Sequence, residues 1–288
     1  MADDALVPFV FEGAAVRGAC VRMDRAVHDA LASHDYPPAL ARVLAELLAA
    51  STLLAASLKF RGSLIVQLAG SGPVRLAVVE CDHALSLRAT AQWSPAAVTK
   101  LGPDATLAEL AGGGDARLAI TLEPEEGPLY QGIVALEAGS VAALLEHYLA
   151  SSEQLESRMA LAERDGRVGG LLVQRLPGAG EDVTLPWDEA SRAIDALDPA
   201  ALVGGDPVEA LTRAFPGRDL RVFKARAPAF ACRCSSSRVE QALRIAGRDE
   251  IEAALADDGE VKVTCEYCGR RYTFTPNQAR ALFDAPAT

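Results

Sequence analysis

The chain has 288 residues, half of them hydrophobic, with 28 Lys and Arg against 39 Asp and Glu and a net charge of −11. That much apolar content excludes global disorder, and the length leaves room for one to three domains with cores of their own. The acidic balance disfavours nucleic acid or anionic lipid as partners, because both call for a basic surface.

The first residues, MADDALVPFVFEG, are acidic where a secretory signal is basic, and no apolar segment follows them. Val7–Glu12 and Ala14–Met23 read as strands. Pro37-Pro38 then opens a helical pattern to about Leu58, with Leu40, Val43, Leu44, Leu47, Leu48 and Leu54 near helical spacing. Its uncharged run Leu47–Leu58 is shorter than the roughly eighteen residues of a membrane span. The expectation is therefore a cytoplasmic protein with no membrane partner. SLIVQLA, VRLAVVE and LSLRATAQW follow on tight turns and predict an antiparallel meander. GGGD at 112–115 lacks the Gly-Lys-Ser/Thr of a phosphate loop and reads as a flexible turn.

Ala116–Glu123 and Leu129–Leu136 predict two more strands. Ser140 can cap a helix whose apolar stripe is Val141, Leu144, Leu145, Tyr148 and Leu149. Ser151 and Gln154 stand at capping-box spacing. Gly170–Pro177 predicts a closing strand. Strands and helices mix without a βαβ rhythm, so 1–178 is expected to be an α+β domain of antiparallel sheet and packed helices. Prolines at 186, 199, 207, 216 and 228 punctuate short amphipathic pieces, so 179–231 is expected to be a helical linker with modest cohesion of its own.

Residues 232–288 follow a different logic. Cys232 and Cys234 form a C-x-C pair, and after thirty residues Cys265 and Cys268 form C-x-x-C inside a hairpin, with no histidine after His147. In a reducing compartment such clusters point to metal or redox chemistry, not structural disulfides. Four thiolates at this spacing suit a closed tetrahedral Zn²⁺ site, one ion per chain. A thioredoxin-like use of Cys265 and Cys268 would need a strand–helix context instead of a hairpin. Cys20 and Cys81 stand alone in apolar strands and read as small buried hydrophobes. His28, His34, His83 and His147 are scattered and show no metal spacing. Eight basic and nine acidic residues in this segment leave no basic patch around Arg270-Arg271. The residues alone thus predict a zinc-binding cytoplasmic protein, with redox sensing, a purely structural zinc ribbon, a nucleic-acid-binding module and a thiol–disulfide oxidoreductase all open.

The C-x-C…C-x-x-C tail, together with PVRLAVVECDHALSLRATAQW (Pro73–Trp93), YQGIVALE (Tyr130–Glu137) and HYLASSEQL (His147–Leu155), resembles the heat-shock protein 33 family of redox-regulated bacterial chaperones. The resemblance covers essentially the whole chain. It implies a non-enzymatic holdase that works without ATP and is inactive while Cys232, Cys234, Cys265 and Cys268 hold zinc. It further implies that oxidants such as hypochlorite form Cys232–Cys234 and Cys265–Cys268 disulfides and release the metal. The C-terminal region and linker then unfold, and a form that is commonly a homodimer binds unfolding client proteins.

Overall fold

The computed structural model describes residues 4–137, 139–176 and 187–283. The eight-residue start of the expected linker, 179–186, lies outside the described residues, as do the last five positions of the C-terminal segment. The chain forms two compact units, Met1–Ala231 and Cys232–Thr288.

The first unit runs β1 (Ala5–Phe11), β2 (Val16–Met23), α1 (Arg25–Leu31), α2 (Pro38–Ser57), β3 (Gly62–Ala69), β4 (Val74–Asp82) and β5 (Ser86–Trp93). It continues with α3 (Pro95–Leu101), α4 (Leu107–Ala111), β6 (Arg117–Pro124), β7 (Tyr130–Ala135), α5 (Val141–Ser152), β8 (Ser157–Arg164) and β9 (Arg167–Arg175). From residue 187 onward come α6 (Trp187–Asp195), α7 (Pro199–Val203), α8 (Pro207–Ala214), β10 (Leu220–Val222) and β11 (Ala229–Phe230). One sheet has the order β10-β1-β2-β9-β8, and the other β11-β5-β4-β3-β6-β7. The meander expected from 63–93 is present as antiparallel β3-β4-β5. The mixed α+β class expected from the sequence is what the fold has.

α2 packs on strands of both sheets, and fourteen of its twenty residues are buried. It is the one described helix long and apolar enough to cross a membrane, yet 78% of its most apolar window is buried inside the protein. A helix that is apolar all round belongs in a core of this kind. The β1-β2-β9 sheet is buried on both faces. Leu6, Val21, Met23, Val168 and Leu172 face the α2 side, whereas Val7, Phe9, Phe11, Cys20, Leu171 and Val173 meet α6–α8. Gly18 is required there, because a Cβ would sit 2.4 Å from the Phe9 ring. Phe215, just past α8, meets Phe11 edge-on at 4.8 Å between ring centroids. Helices α6–α8 thus bury Ala190, Ile194, Leu202, Val203, Ala210 and Leu211 in a cluster completed by the sheet.

One local expectation fails. Ser151 does not cap a new helix: its hydroxyl donates to the His147 carbonyl at 2.7 Å inside α5, and Gln154 takes φ 54°. The chain then turns into β8, an extended segment that the sequence reading had not marked. Its pairing with β9 along its whole length overrides the local capping signal.

The second unit holds α9 (Ser236–Ala246), α10 (Arg248–Asp258), β12 (Val261–Thr264), β13 (Arg271–Phe274) and α11 (Pro276–Ala281). Its core is small: Val239, Leu243, Ile251, Leu255, Val261, Phe274, Ala279 and Leu282.

Candidate metal centre

Cys232 and Cys234 lie just ahead of α9. Ser235 caps that helix, its hydroxyl accepting from the Arg238 amide at 3.3 Å. Cys265 and Cys268 sit in the turn joining β12 to β13. The hairpin fixes that turn with three backbone bonds: Cys265 N–H donates to the Arg270 carbonyl at 2.9 Å, and the amides of Cys268 and Gly269 donate to the Cys265 carbonyl at 3.3 and 2.8 Å. Gly269 has φ 68°, a conformation that favours glycine.

The two knuckles meet. All four Sγ atoms lie within 4.8 Å of one another. Cys232 Sγ is 3.7 Å from Cys265 Sγ, and Cys234 Sγ is 3.4 Å from Cys268 Sγ. Sulfurs placed about 2.3 Å from a tetrahedral ion are about 3.8 Å apart, so the spacing fits a four-thiolate site. It is too long for disulfide bonds, whose sulfurs are about 2.05 Å apart. These four side chains could hold one metal ion.

The surroundings treat the thiols unequally. Burial pushes Cys232 up to about 12 and also raises Cys268. Cys234 is drawn down to about 7, chiefly by the influence of the nearby Tyr272 hydroxyl on its thiolate. Arg270 brings its guanidinium toward Tyr272, Cys234 and Cys268. A positive charge and a hydroxyl donor both favour the anionic sulfur that binds metal and reacts with oxidants. Tyr272 and Arg270 are site residues that the sequence reading missed. Their signal was position: both stand in the hairpin that carries the second cysteine pair.

Cys20 and Cys81 lie apart from this site, at 1% and 0% exposure. Burial pushes the Cys20 thiol up to about 12 and the Cys81 thiol well above its ordinary range. Of the histidines, His83 takes a backbone role, its Nδ1 accepting from the Gly62 amide at 3.1 Å, and His34 packs against the rings of Tyr36 and Trp93.

The family model described as "Hsp33 protein" matches residues 4–275. The chain is 42% identical over 284 residues to a 33 kDa chaperonin of Chromobacterium violaceum, covering 98% of this chain and 94% of that one. It is 36% identical to a 33 kDa chaperonin of Shewanella loihica, with 98% and 96% covered. A crystal structure of the 33 kDa chaperonin of Thermotoga maritima shares the fold, with TM-score 0.81 at 21% identity over 97% of this chain and 98% of that one.

Proposed function

The chain belongs to the Hsp33 protein family, and on that premise we propose that it is a cytoplasmic, redox-regulated holdase that binds unfolding proteins without ATP. The observation that carries the reading is the convergence of four cysteine sulfurs from two knuckles thirty residues apart. Cys232, Cys234, Cys265 and Cys268 would hold one Zn²⁺ in the reduced protein. When bound, zinc supplies a cross-link between the knuckles and holds all four sulfurs as thiolates.

The switch is a change of cross-link. Each disulfide forms as two thiolates lose two electrons, while hypochlorous acid takes up those electrons and one proton from solvent and is reduced to chloride and water. Cys232–Cys234 and Cys265–Cys268 bridges would close loops of three and four residues. The chain-entropy model credits such loops with only about 2 kcal/mol each. Structural zinc contributes on the order of 10–16 kcal/mol in small domains. Among the described residues, eight buried apolar side chains form the core of the second unit, a size at which a staple decides folding. Local bridges would join nothing across the knuckles, so the unit would lose its tie and unfold. Loosening of 179–231 would then bare the apolar face of the β1-β2-β9 sheet to clients. The oxidised form is proposed to act as a homodimer.

The experiment measures zinc release together with suppression of aggregation of a thermally unfolding client, before and after hypochlorite. Peptide mapping of the oxidised protein runs alongside. Equal protection by both forms would reduce the site to a purely structural ribbon. The two close sulfur contacts, at 3.7 and 3.4 Å, run across the knuckles. Cys232–Cys265 or Cys234–Cys268 bridges in the map would keep the knuckles joined and would overturn the unfolding step.

A further inference from the structure

Strand β7 ends its six-stranded sheet and, among the described residues, pairs with β6 alone. Of the large apolar side chains exposed in the described chain, three fall on or beside it: Leu129 at 59%, Tyr130 at 43% and Ile133 at 57%. Leu129 and Ile133 share a face by the two-residue period, flanking Gln131. No charge occurs from Gly127 to Leu136.

Edge strands are ordinarily blunted, because a free row of N–H and C=O groups recruits other chains. The other edges of the two large sheets follow that rule. β10 has three residues and β11 two, while β8 carries Arg158, Glu163 and Arg164. β7 has six residues, Tyr-Gln-Gly-Ile-Val-Ala, with neither a charge nor a proline. Gly132 cannot be exchanged for a charged residue to blunt the edge, since a Cβ there would sit 2.4 Å from the Tyr148 ring.

The flanks are acidic. Glu123, Glu126 and Glu137 are exposed, with Arg117 one strand inward opposite Ala135. Antiparallel self-pairing of two β7 edges would set Glu126 of each copy near Glu137 of the other, between chains that each carry −11. Like charges placed so oppose self-pairing. An apolar strand with basic flanks has the complementary pattern. We propose that the outer edge of β7 docks an extended apolar segment of an unfolded protein, flanked by Lys or Arg, as a seventh strand of the sheet. This rests on the chaperone reading and names one client contact and its chemistry. Main-chain bonds supply affinity that tolerates many sequences, while Leu129, Ile133 and the acidic flanks set the preference.

Because Leu129, Tyr130 and Ile133 are exposed without any rearrangement, reduced protein holds such a segment weakly. Oxidation adds a second apolar surface, and two contacts on one client bind far more strongly than either.

The test uses full-length protein and a labelled peptide of about twelve residues, long enough to span the strand, with a Val/Ile core and Lys flanks. A second peptide carries Glu flanks. Reduced wild type is expected to bind the Lys-flanked peptide, and the Glu-flanked one several-fold more weakly. Leu129→Glu with Ile133→Glu should lower binding about tenfold, while Ile245→Glu, at an exposed site in the other unit, leaves it unchanged. Ile133→Thr alone, mild enough to keep the strand, should fall between. Wild-type binding by a folded double variant, as judged by circular dichroism, would overturn the assignment, as would equal binding of both peptides. A concentration-dependent dimer abolished by the double variant would reassign the edge to self-pairing and overturn it too. Peptide binding by reduced protein, with no client protection after oxidation, would support the edge and sink the redox-holdase reading instead.

Discussion

Cys265 is one of four sulfurs that converge within 4.8 Å. Cys265→Ser is expected to abolish stoichiometric zinc in purified reduced protein, because an alcohol is a poor replacement for a thiolate ligand. Full occupancy by metal analysis would remove the assignment. A second residue-scale outcome concerns Glu46 on α2. Its burial pushes the carboxyl up to about 7, with Arg42 opposing the shift and Glu163 adding to it. The folded state therefore holds this proton more tightly than the unfolded chain does. The contribution is greatest at low pH and is lost as pH rises from the ordinary carboxylate range through about 7. Glu46→Gln should raise stability at pH 8 by ~1–3 kcal/mol, with the difference shrinking as the pH falls toward 4.5. Denaturant midpoints across that range decide it, and a pH-independent difference would show that the charge is not the cause.

At the scale of elements, α7 is seated on the sheet by two close approaches. A Cβ on Gly169 would lie 2.0 Å from the Leu202 carbonyl oxygen. Arg22, at 4% exposure, donates through Nε to the Val203 carbonyl at 3.2 Å. Gly169→Ala must therefore push α7 outward, at a cost of ~1–3 kcal/mol. The expected readout is faster amide exchange across Pro199–Ala214 with protection of β3–β6 retained. Unchanged exchange in α7 and α8 would mean the helices are held by other contacts. The same scale shows the limit of local signals. Ser140 caps α5 as its spacing implies, accepting from the Ala143 amide at 3.2 Å, whereas Ser151 with Gln154 at equal spacing caps nothing. The difference lies beyond the motif, in β9, which pairs with the following residues as a strand.

For the whole molecule, stability should divide by region. Chelation or oxidation is expected to remove exchange protection from 232 onward and to weaken it over 187–231. Strands β1–β9 around α2 should stay protected, since their core is closed by dozens of apolar side chains independent of any metal. Persistent protection of α9–α11 after complete zinc loss would contradict this. A chain ending near Pro177 should lose redox control. If it protects clients constitutively, the site lies within the sheets; if it is inert, α6–α8 supply part of it.

The sequence by itself singled out the four cysteines that cluster, since residue identity and two short spacings mark them. It also determined most strands, the buried helix α2 and the mixed α+β class, because period-2 and all-apolar patterns state which faces must leave water. Only the tertiary structure decided what covers those faces. Cys20 on β2 reads as buried, but nothing local says that α6–α8 do the burying. Strand order belongs to the same class: β7 resembles any interior strand in sequence and becomes an edge only through non-local pairing. The meeting of Cys234 with Tyr272 and Arg270 likewise required the hairpin to fold back across thirty residues. Periodicity records a residue's need for burial; the partner that meets the need is chosen by the packing of the whole chain.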